Sequence, residues 1–420
     1  MSVIFEARMT RVLVYSHDTF GLGNIRRMLA ISQALTEADP NVSVLILSGS
    51  PMLHAFRMPP RIDYVKLPCL ARDTEGVYGV KYLNLDYAAA LRLRSSLIVS
   101  AAIEFAPDVV LIDKKPLGVD GELEAALDLL AGQECRPEVY LILRDILDDP
   151  EVTQRIWDKH DYHGAIAKHY DGVLVAGSPS VFDVAQEYAF PAATREITEH
   201  VGYLHRQAGR KTREEVRATF DLDGLPLVLV HAGGGGDGAP LIEAFIEGLS
   251  ARAGRAPFYS WIISGPEMGA GDRERARASA ATLPHVRFDD FTDDMSSCMA
   301  GADAVVSMGG YNTVCEVLSL RKPALIVPRS RPVKEQAIRA LRMADRGYLA
   351  CMLDSEMTPA ALIAGAMRLT MNGAAQVRAR HALPFEGLDR IADVVCRQAP
   401  LRPRLQRSTQ DRRGRVAAAL

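Results

Sequence analysis

The sequence predicts an α/β protein of two doubly wound domains, each a parallel sheet with helices on both faces, facing one another across a cleft. Two observations carry this reading. Short apolar runs rich in valine, isoleucine and leucine recur along the chain, each followed by a turn and a helix-period pattern, the order that parallel β-α units leave in a sequence. The runs fall into two series, and 420 residues are more than one small core organises.

The first series is "RVLVYS", "VSVLILSG", "DVVLID", "VYLILRD" and "GVLVAG", which assigns residues 1–203 to the first domain. Residues 204–224, "LHRQAGRKTREEVRATFDLDG", are polar and basic without a strand pattern and read as the linker. The second series, "PLVLVHAGG", "YSWIISG", "VRFDDF", "AVVSMGG" and "PALIVPR", places the second domain at 225–385. Residues 386–400 then read as a helix returning to the first domain, and the arginine-rich 401–420 as a disordered tail, solvated or touching anionic lipid.

Apolar residues at 48% and charged residues at 24% are the balance of a globular protein, and a net charge of −3 predicts no nucleic-acid partner. Cys69, Cys135, Cys298, Cys315, Cys351 and Cys396 show neither C-x-x-C nor metal-type spacing, so the chain reads as reduced and cytoplasmic. Glu6 and Arg8 interrupt the first apolar stretch, and Arg92, Arg94 and Glu104 interrupt "YAAALRLRSSLIVSAAIEF", which becomes an amphipathic helix rather than a span. Any membrane association is expected to be peripheral.

Three stretches carry candidate chemistry. "HAGGGGDGAPLIEAF", from His231 to Phe245, runs from strand through glycines into helix, where close backbone approach and free N–H groups suit an anion such as a diphosphate. It is also compatible with a ligand-free turn. "SMGGYNTVCEVLSLRKPALIVP" repeats the pattern: Gly309 and Gly310 open a helix whose first amides, with the Thr313 hydroxyl, are free to hold phosphate. Asn312 and Glu316 share a face there, and Glu316 reads either as an acceptor for ribose hydroxyls or as a solvated helix position. In "PRSRPVKEQAIRALRMADRG", Glu335 and Gln336 carry donors and acceptors suited to sugar hydroxyls, in a pattern that capping electrostatics also produces.

Taken together, "GGGGDGAP", "FTDDM", "SMGGYNTVCE" and "EQAIRALRMADRG", in this order from Gly233 to Gly347, resemble the donor half of GT-B glycosyltransferases. The pattern is similar to the MurG-like group, which includes the N-acetylglucosaminyltransferase of lipid II synthesis and related bacterial glycosyltransferases. The resemblance implies two Rossmann-like domains and a nucleotide-sugar donor, usually a uridine diphosphate sugar, held by the second domain. It implies that Gly234, Gly235 and Gly236, with Gly309, Gly310, Asn312 and Thr313, flank the diphosphate. Glu316 would take the ribose, Phe291 and Thr292 would line the base, and Glu335 and Gln336 would hold the sugar. It also implies no cofactor and no metal, helix ends and basic groups neutralising the leaving diphosphate. The one Asp-x-Asp, Asp221 to Asp223, lies in the linker and supplies too few oxygens for a divalent ion.

The first domain is expected to bind a sugar-containing acceptor. Asp113, Lys114, Arg144 and Asp145 fall at strand C-termini, the edge where open α/β sheets bind ligands, with Asp145 the candidate acceptor-positioning carboxylate; helix caps or mutual pairing fit them equally. The stretch "LARDTEGVYGVKYLNLDY" reads as a lid over the acceptor. In "HDTFGLGNIRR", Gly21, Gly23 and Asn24 match the glycine loop that faces the acceptor, where many inverting relatives carry a histidine base in place of Asn24. An amide orients a hydroxyl but takes no proton at neutral pH, which moves the catalytic role to His17 or Asp18. A retaining reaction, a non-hydrolysing sugar-nucleotide 2-epimerase and a non-catalytic nucleotide-sugar binder stay open. A dinucleotide oxidoreductase is disfavoured because "GLGNIRR" lacks the third glycine of G-x-G-x-x-G.

Overall fold

The computed structural model describes residues 9–17, 23–55, 57–72, 78–234, 236–252, 257–379 and 383–398. The first half builds a parallel sheet from β1 (Thr10–Ser16), β2 (Val42–Ser48), β3 (Ile62–Lys66), β6 (Val109–Asp113), β7 (Glu138–Arg144), β8 (Gly172–Ala176) and β9 (Thr198–His200), in the order β3-β2-β1-β6-β7-β8-β9. The second half builds another from β10 (Leu227–His231), β11 (Tyr259–Ile263), β12 (Val286–Asp289), β13 (Ala304–Ser307), β14 (Ala324–Ile326) and β15 (Ala350–Cys351), in the order β12-β11-β10-β13-β14-β15. In both sheets the chain first winds outward on one side, then returns beside its first strand and winds the other way. The resulting switch points, β1/β6 and β10/β13, open a crevice at the carboxyl ends of the strands.

The central strands β6, β8 and β10 are buried at every position, as strands covered on both faces must be, and this is why they read as unbroken apolar runs. The edge strands β3, β9 and β15 were not among the runs. "IDYVK" and "TEH" are mostly half-buried or exposed and carry charges, so no continuous apolar signal marks them. In the stretch read as a lid, β4 (Leu70–Arg72) and β5 (Tyr78–Val80) pair as an antiparallel ribbon, and residues 73–77 lie outside the described residues.

The helix Tyr87–Phe105 starts at Asp86, whose carboxylate accepts the Ala89 N–H at 2.8 Å. Its Arg94 is wholly buried and spans both oxygens of Glu122 at 2.5 and 2.6 Å, while a third donor reaches the Pro68 carbonyl at 2.6 Å. The charge that breaks the apolar run is thus satisfied inside the fold. Among the described residues no helix is long and apolar enough to cross a membrane.

Between the halves, the helix Arg213–Arg217 carries a capping box of Thr212 and Glu215, and Arg217 pairs with Asp303 of the second half at 2.8 Å. Two chain segments cross side by side: Tyr203 N–H donates to Pro384 at 2.9 Å and Gly387 N–H to Tyr203 at 3.2 Å. Gly202 has φ +91° there, and a Cβ on it would stand 3.1 Å from the Pro384 carbonyl oxygen. Beyond this crossing the helix Gly387–Gln398 packs on the helix Gly23–Ala38 of the first half, where Ile391, Ala392 and Val395 join the core of Ile31 and Leu35. Residues 401–420 lie outside the described residues.

Candidate functional site

The site is built where the two crevices meet. From β13 the chain turns through Gly309, φ +77°, where a Cβ would stand 2.3 Å from the Ile326 side chain, so only glycine closes this turn. Gly310 then caps the helix Tyr311–Ser319 with no side-chain bond to its first turn, which leaves the leading amides without intrahelical acceptors. Asn312, Thr313 and Glu316 are buried. Asn312 donates to the Gly23 carbonyl at 2.8 Å and accepts from Arg206. Arg26 pairs with Glu316, and the Tyr311 hydroxyl donates to the Ala176 carbonyl at 2.9 Å. The solvated alternative for Glu316 is therefore set aside.

The helix Glu335–Asp345 makes the second seam. Arg339, with no exposed surface, clasps Asp145 through bonds of 2.9 to 3.1 Å, and the Tyr203 hydroxyl donates to the same carboxylate at 3.2 Å. Asp145, expected to position an acceptor, is wholly buried and its oxygens are taken, so in this conformation it ties the two halves together. Glu335 pairs with Arg144 and lies 3.9 Å from Arg339. Burial raises the Glu335 carboxyl, but Arg144, Arg339 and Lys114 outweigh it and hold it below its ordinary value. Gln336 accepts the Arg329 N–H at 3.3 Å, and Lys334 reaches Asp148 and Asp149 at 2.9 and 3.1 Å.

On the other side of β10, Gly233 has φ +66° and the Gly234 carbonyl accepts the Glu267 N–H at 2.8 Å. Gly236 is exposed, Gly235 lies outside the described residues, and Asp237 pairs with Arg329 at 2.9 Å. Phe291 stands half exposed beyond β12, while the Thr292 hydroxyl accepts the Asp294 N–H at 3.0 Å. In the first half, His17 is buried at the end of β1, and Asn24 donates to its carbonyl while accepting from Arg27 at 3.1 Å. Arg27 and Asp113 form a buried pair, and Gly23 begins the helix Gly23–Ala38. Asp18 and Gly21 lie outside the described residues.

Residues 228–394 match the glycosyltransferase family 28 C-terminal domain. Across 94% of this chain and 100% of the other, the fold is similar to the glycotransferase of kitacinnamycin, with TM-score 0.63 and 16% identity. It is likewise similar to Acinetobacter baumannii MurG over 93% of this chain and 99% of that one, with TM-score 0.60 and 18% identity. These likenesses give the chain a GT-B fold, and the matched family model falls in its second half. Among curated relatives, the UDP-N-acetylglucosamine--N-acetylmuramyl-(pentapeptide) pyrophosphoryl-undecaprenol N-acetylglucosamine transferase of Actinobacillus pleuropneumoniae is 28% identical over 218 residues, 50% of this chain and 59% of that protein. The transferase of the same name from Nocardia farcinica is 26% identical over 390 residues, 89% of this chain and 93% of that protein. The match to the first of these spans 59% of its length.

Sequence reasoning named Asn312, Glu316 and Glu335 but not the guanidiniums that meet them, Arg26, Arg206 and Arg339, nor His231 at the end of β10. Among cleft cations, Lys114 follows β6 with φ +70°, and burial together with neighbouring Arg144 pushes its ammonium down to about 7. The unfolded chain keeps that proton at higher pH, so the group costs stability below about pH 7 and the cost fades as pH rises towards the ordinary lysine value of 10.5. Lys114→Met is accordingly expected to be more stable than the native chain at pH 7, with the gap closing by pH 10. Urea melts at both pH values check this, and a gap that does not narrow overturns it.

Proposed function

We propose that this chain is a metal-independent glycosyltransferase that moves a hexose or N-acetylhexosamine from a nucleotide sugar, of the uridine diphosphate class, to a sugar-containing acceptor. The setting is polysaccharide, envelope or secondary-metabolite synthesis. The observation that carries the reading is the glycine-opened helix Tyr311–Ser319 at the β10/β13 switch point, with Asn312 and Glu316 on one face of it. Its leading amides suit a diphosphate, and a carboxylate one turn on suits a diol. The names of the curated relatives, transferases of N-acetylglucosamine from a uridine diphosphate donor, support the same donor class.

In this reading the helix end and the cleft guanidiniums meet the negative charge that gathers on the leaving diphosphate, and no metal takes that part. Glu335 and Gln336 hold the donor sugar, and Phe291 and Thr292 border the base. In the closed arrangement described above, Arg26 occupies Glu316 and Arg144 occupies Glu335, so substrate entry parts the halves and exchanges these ion pairs for ligand contacts.

Glu316→Ala is expected to weaken nucleotide diphosphate binding by about 1 to 3 kcal/mol, the range for lost hydrogen bonds to a charged group. Titration calorimetry with uridine diphosphate checks it, and unchanged affinity removes Glu316 from the donor site. Incubation with a panel of nucleotide sugars separates the activities: a transferase releases the nucleotide diphosphate, whereas an epimerase returns an isomerised donor.

A further inference from the structure

Three buried polar atoms at the β10/β13 switch point make no hydrogen bond among the described residues: His231 Nε2, Ser307 Oγ and Glu316 Oε2. Each of these residues is only 1% exposed, so solvent does not satisfy them. Two of them are also neighbours on the sheet, and the third acts on the histidine. His231 and Ser307 are register partners in the parallel pair β10/β13, which sends their side chains to the same face of the sheet. Glu316 is the strongest charge acting on the His231 ring, ahead of Arg26.

Their chemistry is directional. His231 Nδ1 accepts the Gly233 N–H at 3.3 Å, and burial pushes the imidazole down to about 4, so the ring is neutral at physiological pH. A neutral ring that accepts at Nδ1 carries its proton on Nε2, which makes Nε2 a donor only. Arg26 holds Oε1 of Glu316, which leaves Oε2 as an acceptor only. A group that accepts from the one while donating to the other is a hydroxyl. A phosphate oxygen at the same place would meet the Glu316 carboxylate as a like charge.

We propose that His231, with Ser307, reads the ribose of the donor nucleotide: Nε2–H donates to a ribose hydroxyl whose own proton goes to Glu316, and Ser307 serves the neighbouring hydroxyl. The inference rests on the donor-site reading above and extends it from one carboxylate to a cluster that recognises a vicinal diol. It makes the site selective for ribonucleotides, because a 2′-deoxy ligand leaves a buried donor and a buried acceptor unmade.

The test measures affinities for uridine, guanosine and adenosine diphosphates and their 2′-deoxy counterparts by titration calorimetry. The native chain is expected to prefer the best ribonucleotide over its 2′-deoxy form by about tenfold, the worth of one well-made hydrogen bond. His231→Leu is expected to reduce that ratio to near unity, while His231→Asn, which keeps an N–H donor, retains most of it. Thermal melts establish that each variant is folded, and Ser307→Ala supplies a second, smaller probe in which the ratio also narrows. If no nucleotide diphosphate binds the native chain, the donor reading itself falls. If nucleotides bind and Glu316→Ala weakens them, but folded His231→Leu and Ser307→Ala keep the native ratio, the donor reading stands and this inference is overturned. Equal binding of ribo and 2′-deoxy forms to the native chain overturns it as well.

Discussion

Replacing Arg339 by methionine is expected to destabilise the protein by about 3 to 5 kcal/mol, the usual cost of breaking a buried ion pair from one side. Arg339 and Asp145 have no exposed surface, and the guanidinium makes three bonds to the carboxylate across the seam between the halves. Methionine fills much of the volume but returns nothing to Asp145, whose remaining donors are the Tyr203 hydroxyl at 3.2 Å and the Ile146 N–H at 2.8 Å. Glu335, 3.9 Å from the same guanidinium, loses a cation too. The double variant Arg339→Met with Asp145→Leu removes the orphaned charge and is expected to recover a large part of the loss, since apolar replacement of a buried pair is often close to neutral. Urea denaturation of the native chain and both variants decides the matter. A single variant as stable as the native chain would mean that the seam contributes nothing to folding.

That seam also marks where the sequence stops being readable. Parallel strands covered on both faces are apolar throughout, so β1, β6, β7, β8, β10 and β13 stand out as runs, and their alternation with helix-period segments yields the two doubly wound sheets. The glycine turns are legible for a related reason: Gly309 answers to a backbone angle, a local demand. Arg339 and Arg342 look alike in "EQAIRALRMAD", three residues apart on one helix. One is wholly buried against Asp145, 194 positions away, and the other is 40% exposed beside Glu187. Nothing local separates them. His231 is hidden for the opposite reason, since a histidine closing an apolar run reads as strand filler until β13 sets Ser307 beside it. The helical period puts Asn312 and Glu316 on one face, but by itself it leaves Glu316 between a ligand acceptor and a solvated position. Arg26 and Arg206, which meet that face, come from segments whose pairing only the tertiary fold creates.

Replacing His17 by alanine is expected to lower turnover by about 10²- to 10⁴-fold, the contribution of a positioned general base, while nucleotide affinity stays close to native. An inverting transfer to an acceptor hydroxyl needs a group that takes its proton, and Asn24 is not that group. An amide is not basic, and this one already donates to the His17 carbonyl and accepts from Arg27. The same contact fixes the backbone of His17 at the end of β1, one side of the β1/β6 switch point, with its ring centroid 6.4 Å from that of Tyr15. Histidine titrates where a base is useful, whereas Asp18, next in the chain, needs a raised pKa or a strongly activated donor to do the same work. Asp18→Asn is therefore expected to cost less turnover than His17→Ala. Steady-state kinetics with saturating donor, beside calorimetric nucleotide affinities, distinguish a lost base from a damaged site: a base variant loses kcat and keeps donor Kd, and the acidic limb of its pH–rate profile disappears. Full turnover in both variants would remove the base from this loop and leave a retaining reaction, which needs no such group, as the mechanism to test.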